Sequence, residues 1–180
     1  METDEHLMQR YRDGEAAAFD TLYLRHRGAV FRYVKRLAAS DMDAEALFQD
    51  AWMRVIQGRE RWRQDQPFRP WLYRIAHNRV IDEVRRRGLL AVEGDEDPAA
   101  LPSTEPEHAS THWWRDCVAR LRELLGRLPE LQRSAFLLRE EAGLSLEQIA
   151  QVTGTGRETV KSRLRYAVQR LRAGLEGCDE

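Results

Sequence analysis

The sequence predicts an all-α chain of two helical domains joined by a flexible acidic linker, the second domain ending in a helix-turn-helix. Three observations carry this. Apolar residues recur at three- and four-residue spacing on both sides of the middle of the chain, and no segment alternates at period two or offers a Gly/Asn hairpin turn. Between the helical stretches, residues 89–112 hold six acids, no Lys or Arg, and Pro98, Pro102 and Pro106, with no apolar stripe. Such a segment cannot bury enough apolar surface to offset its ordering entropy. The domains are therefore 1–88 and 113–180, flanking a linker at 89–112, and each is expected to fold independently.

In chain order, helical periodicity runs through Leu7 to Arg12, Ala16 to Ala39, Ala44 to Ile56 and Phe68 to Arg87, then Trp113 to Gly126 and Leu131 to Glu141. The last two helices have the sharpest signals. Ser145 with Gln148 three residues on makes a capping box, and Thr155 with Glu158 makes another. Gly154 between them is free to take the positive φ that closes a helix, and small Ala150 permits a close crossing. On the second of these helices Val160, Leu164, Val168, Leu171 and Leu175 form one apolar stripe, leaving Arg157, Lys161 and Arg165 on another face. A helix presented in this way enters the major groove by its N-terminal end. Arg157, Glu158, Lys161 and Ser162 would then reach base edges, with Arg163 and Arg165 nearer phosphates.

The net charge of −1 conceals a partition, since residues 1–88 carry 17 Lys+Arg against 14 Asp+Glu and residues 113–180 carry 12 against 10. From Arg54 to Arg87 ten arginines face four acids, interleaved with Trp62, Phe68, Trp71 and Tyr73. That combination suits unpaired strands, whose bases stack on rings while arginines follow the backbone. Phe68 and Trp71 share a face with Leu72 and Ile75 and belong to the core. Trp62 sits in a polar stretch and Tyr73 points away from that face, so these two are expected to stack on bases. Upstream, the acidic start Asp41 to Asp50 suits either the helix dipole or a basic protein partner.

Other chemistries find little support. His77 lies on a basic helix without a nucleophile motif, so no enzyme is expected. His108 and His112 have helical metal-pair spacing with Cys117 beyond, but no fourth ligand, so neither metal nor cofactor is expected. The two cysteines, Cys117 and Cys178, lie far apart without a CxxC motif, which fits a reducing compartment and incidental or structural roles. The acidic start Met1-Glu-Thr-Asp-Glu is no signal peptide, and the expected location is the cytoplasm.

Several motifs, in order, resemble the extracytoplasmic function class of bacterial RNA polymerase sigma factors. Asp43-Ala-Glu-Ala-Leu-Phe-Gln-Asp-Ala-Trp52 is similar to the family's region 2.2, which implies that Asp43, Glu45, Leu47, Phe48, Gln49, Asp50 and Trp52 bind core polymerase at the β′ clamp helices. Phe68-Arg-Pro-Trp-Leu-Tyr-Arg-Ile-Ala-His-Asn-Arg-Val-Ile-Asp82 resembles regions 2.3 and 2.4, which implies minus-10 melting by Trp62, Tyr73, His77, Asn78, Asp82 and Arg85. Leu128 to Arg139 and the helix-turn-helix resemble region 4, which implies minus-35 reading as duplex and contact with the β flap. The resemblance further implies promoter DNA as a partner and an anti-sigma factor as an inhibitor. Tyr166 and Val168 depart from the pattern where relatives often carry arginine, as does Ala46 where an acid is frequent. The rival is a ligand-responsive helix-turn-helix regulator, which would need a sensor pocket within residues 1–88.

Overall fold

A computed structural model describes residues 2–88 and 113–178, and these form eight α-helices and one short 3-10 turn. The segment 89–112, including His108 and His112 and hence the metal question, lies outside the described residues. The N-terminal unit comprises α1 (Asp4–Arg12), α2 (Ala16–Leu37), α3 (Asp41–Gln57) and α4 (Phe68–Arg86). The C-terminal unit comprises α5 (Trp113–Arg127), α6 (Glu130–Glu140), α7 (Leu146–Thr153) and α8 (Arg157–Gly174).

Local chemistry sets the helix starts. Thr3 accepts from the His6 amide at 3.2 Å and Ser40 from the Asp43 amide at 3.1 Å, so both hydroxyls satisfy first-turn donors. Pro67 and Pro129 immediately precede α4 and α6, where the absence of an N–H carries no penalty. The Ser145/Gln148 capping box forms in both directions, and Gly154 takes φ 65° to end α7. The second box does not form. α8 begins after Gly156, and the Thr155 hydroxyl instead pairs with Thr153 at 3.0 Å, because the turn closes one residue later than the motif suggests.

Leu22, Val30 and Val34 of α2, Leu47 and Val55 of α3, and Phe68, Leu72, Ala76 and Val80 of α4 build the N-terminal core. The same apolar cluster continues without a break into Leu137, Leu138, Leu144, Ile149 and Val152, because α6 packs on α2 and α7 on α4. Polar ties reinforce this junction. Tyr33 Oη lies 2.9 Å from both His77 Nδ1 and Ser134 Oγ, which are themselves 3.0 Å apart, and all three side chains are buried. Glu141 accepts from Arg32 at 2.8 Å and lies 3.4 Å from Arg36. Helix periodicity marks two helical units but carries no signal for their packing on each other.

A second, smaller cluster of Leu124, Leu125, Leu128, Ala167 and Leu171 fixes α5 to α8. A side chain at Gly174 would overlap Leu124, so α5 and α8 approach here as only glycine allows. Cys117 and Cys178 form a disulfide with a Cα–Cα distance of 5.9 Å across a sequence separation of 61. Their distance in sequence misled, because the α5–α8 packing brings the first turn of one helix to the end of the other. Closing a loop of this size constrains the unfolded chain by about 4 kcal/mol in the chain-entropy picture. Cys117→Ser is expected to lower the urea midpoint of the C-terminal unit under non-reducing conditions, and dithiothreitol should lower the parent to match. Equal midpoints with and without reductant would refute the constraint.

Candidate nucleic-acid interface

Helix α8 presents Arg157, Glu158, Lys161 and Arg165 to solvent, with Ser162 half-buried beside them. Arg157 Nε donates to Glu147 of α7 at 2.6 Å, and Glu158 lies 3.7 Å from Arg157 and 3.8 Å from Lys161. The guanidinium of Arg165 lies over the Tyr166 ring at 5.0 Å. Lys161, Arg165, Arg172 and Arg139 rim a furrow whose floor includes Leu146, Leu164 and Val168.

Arg163 departs from expectation. It is buried rather than directed at phosphate, and the buried residues of α8 are Val160, Arg163, Ala167, Leu171 and Gly174, with Leu164, Val168 and Leu175 only partly covered. The cause is packing from more than one side. α5, α6 and α7 all pack on α8, so the covered arc is wider than the leucine and valine stripe and shifted toward its small residues.

On α4, Arg74, Asn78, Asp82 and Arg85 are exposed at helical spacing and form one continuous polar stripe. Tyr73 and His77 lie on another face and are buried, which corrects the expectation that Tyr73 is available to stack on a base. Seen from the N-terminal domain alone, Tyr73 points away from the core. Tyr33 of α2 meets Tyr73 edge-on at 5.5 Å within the N-terminal unit, and the C-terminal unit closes over this side of α4, with α7 packed on α4 and His77 reaching Ser134 of α6. Burial pushes the Tyr73 hydroxyl up to about 12 and holds the His77 imidazole down to about 4, the latter with smaller contributions from Arg163 and Arg85. Trp62 is likewise corrected. At 1% exposure it is core, because the chain turns inward after the 3-10 turn Arg59–Arg61 and Arg12 secures the Trp62 carbonyl at 3.3 Å.

On α3, Glu45 and Gln49 are exposed, Phe48 is half-buried, and Leu47 and Trp52 are buried. Trp52 meets the rings of Phe19 and Tyr23 at 5.8 and 5.0 Å, so neither it nor Leu47 is presented directly to a partner. Asp43 pairs with Arg87 at 2.7 Å and Asp50 with Arg79, linking α3 to α4. Their partners hold both carboxylates below their ordinary range, led for Asp43 by Ser40 and Arg87 and for Asp50 by Arg79 and Arg54 against opposing burial. Two residues were missed. Met42 and Met53, 78% and 50% exposed, continue the Glu45–Gln49 face, and their i, i+3, i+7, i+11 spacing was the available signal.

These features define two helical units, each with an exposed polar or basic helix stripe, and a further exposed face on α3. Residues 22–89 match the Sigma-70 region 2 family model and residues 119–171 the Sigma-70 region 4 model. The chain is 31% identical over 186 residues to RNA polymerase sigma-H factor of Pseudomonas aeruginosa, covering 97% of this chain and 95% of that one. It is 33% identical over 164 residues to the sigma factor SigL of Mycobacterium tuberculosis, covering 90% and 91%. It is also 34% identical over 163 residues to SigE of Mycolicibacterium smegmatis, covering 88% of this chain and 63% of that longer protein. The chain belongs to the extracytoplasmic function class of RNA polymerase sigma factors. Its fold is that of CnrH, solved with the cytosolic domain of CnrY, at TM-score 0.71 and 24% identity over 99% of this chain and 100% of that one. RpoE of Bartonella quintana, solved with the anti-sigma factor NepR, gives 0.67 and 23% over 90% and 98%. No helix among the described residues is long and apolar enough to cross a membrane.

Proposed function

We propose that the chain binds core RNA polymerase through the exposed face of α3, reads the minus-35 element as duplex with α8, and opens the minus-10 element with α4. The single observation that carries this is the coexistence of two polar stripes on separate units: Asn78, Asp82 and Arg85 on one, and Arg157, Lys161 and Arg165 on the other. Polymerase supplies the chemistry, and this chain supplies recognition. Glu45, Gln49, Met42 and Met53 contact the β′ clamp helices, while Asp43 and Asp50 hold α3 against α4 through Arg87 and Arg79. The C-terminal unit reaches the β flap. A ligand-responsive regulator would need a sensor pocket in the N-terminal unit, whose interior is instead filled by aromatic and aliphatic side chains.

The junction through Tyr33, His77 and Ser134 corresponds to a free or inhibited form. Promoter binding at two separated elements draws the units apart and uncovers Tyr73 and His77. An anti-sigma factor that favours the packed form would keep the two stripes from reaching separated promoter elements together, and the solved complex of a fold-related sigma factor with an anti-sigma factor fits this role.

Run-off transcription from a genomic fragment library, with core polymerase alone and with this protein added, should yield transcripts found only in its presence. Identical transcript sets would overturn the assignment. Lys161→Ala should weaken duplex binding across many sequences and reduce the salt dependence by about one counterion, as expected for one phosphate contact. An unchanged slope in a salt titration would remove Lys161 from the backbone contacts.

A further inference from the structure

Arg157 is not free on the surface of α8. Its Nε donates to the carboxylate of Glu147, which belongs to the preceding helix, ten residues earlier in the chain. Glu147 is itself held in the first turn of α7. Its own backbone N–H, Arg157 and the Ser145 hydroxyl keep the carboxylate below its ordinary range, and Ser145 and Gln148 on either side are locked in the capping box. One end of the contact is therefore seated on a capped helix start, whereas an arginine side chain by itself samples many rotamers. A guanidinium anchored through Nε retains N–H groups on both terminal nitrogens, and this fork matches O6 and N7 of a guanine in the major groove.

We propose that Glu147 is a positioning residue for base reading: it anchors Arg157 through Nε and aims the guanidinium at a guanine of the upstream promoter element. The proposal rests on Arg157 reading the duplex, as argued above. In the free protein the pair is half exposed, with side chains 54% and 60% accessible, and water weakens it. Docking into the groove removes that water and strengthens the contact at the moment of recognition. Glu158 is a poorer anchor, because it lies farther away at 3.7 Å and is shared with Lys161.

The charge makes the effect separable from simple electrostatics. A carboxylate beside DNA repels phosphate, so removing it should tighten binding to every duplex alike. A positioning role predicts the opposite change in sequence preference. Holoenzyme reconstituted from core polymerase and the full chain would be challenged with duplex promoters randomised across the upstream element, and the enrichment of each base read by sequencing. Arg157→Ala should cost about tenfold or more in guanine preference at one position. Glu147→Ala should lose most of the same preference at that position while tightening overall duplex binding, and Glu147→Gln, which keeps an acceptor oxygen, should fall between parent and Glu147→Ala. The double variant should be no less selective than Arg157→Ala alone.

If Glu147→Ala keeps the parental preference and merely binds every duplex more tightly, Glu147 is only a repelling charge and the proposal fails. If Arg157→Ala itself keeps the preference, the base-reading role of Arg157 fails first and carries the positioning role with it. Circular dichroism melts of both single variants should match the parent, so a loss of preference with an unchanged melt cannot be put down to unfolding.

Discussion

Trp62→Ala should destabilise the N-terminal unit by about 3 to 5 kcal/mol, the range for removing a large aromatic from a packed interior. The indole is 1% exposed and belongs to the same apolar cluster as Phe68 and Trp52, so truncation leaves a cavity at the point where the 3-10 turn feeds α4. With total stabilities of about 5 to 15 kcal/mol for a domain, much of the population would be unfolded or easily unfolded at working temperature. Promoter opening would then be lost because the unit is no longer intact. Asn78→Ala provides the contrast, since Asn78 is exposed and its loss should change stability by less than about 0.5 kcal/mol. Its effect should appear instead as weaker permanganate reactivity of unpaired thymines at the minus-10 element. Urea unfolding followed by circular dichroism separates the two cases. A Trp62→Ala protein within about 1 kcal/mol of the parent would show that the indole is not core.

Acidification should loosen the junction between the two units, and His77 should account for a distinct part of it. Its imidazole is held down to about 4 by burial against an ordinary value of 6.5. The unfolded or separated chain therefore takes up a proton near pH 6.5, while the packed form does so only near pH 4. Stability from this group is complete above pH 6.5 and declines as the pH falls toward 4, by about 3 kcal/mol across the window. The new charge would face Arg163 and Arg85 as well as the Tyr33 and Ser134 hydroxyls, so it gains no carboxylate to offset its burial. Glu83 behaves differently. Arg86 and Arg87 hold it down to about 2, so its contribution is present above its ordinary range and fades only below about pH 4.5. His26 is also lowered by burial, partly opposed by Asp4, and serves as the internal comparison. In His77→Gln the loss of stability between pH 6.5 and 4.5 should be visibly shallower than in the parent, and the radius of gyration from small-angle scattering should rise less. Superimposable pH profiles would remove His77 from the junction.

The helices were legible because their signals are local. The capping box at Ser145 and Gln148, the turn at Gly154 and the stripe through Leu22, Val30 and Val34 each depend on residues within a few turns of one another. The exposure of Arg157, Lys161 and Arg165 was legible for the same reason. What could not be read was set by a second surface. Tyr73 and His77 lie on the side of α4 that meets the C-terminal unit, and Arg163 lies where α5, α6 and α7 close around α8, neither of which helix periodicity reports. Trp62 was obscured by polar neighbours, although its backbone turns inward, and Leu47 and Trp52 were carried into the polymerase-binding set by the motif as a whole when only alternate faces of α3 are exposed. The pairing of Cys117 with Cys178 depends on how α5 lies along α8.

That disulfide gives α8 two covalent routes to the rest of the molecule. One runs forward from α5 through α6 and α7 into α8, and the other crosses from Cys117 to Cys178 and enters α8 from its far end. Everything from α6 to α8 lies within a closed covalent ring. A single protease nick inside it, for instance at the turn between α7 and α8, where Gly154 and Gly156 are exposed, opens the ring without releasing a fragment. The cut chain should run as one species on a non-reducing gel and as two after reduction.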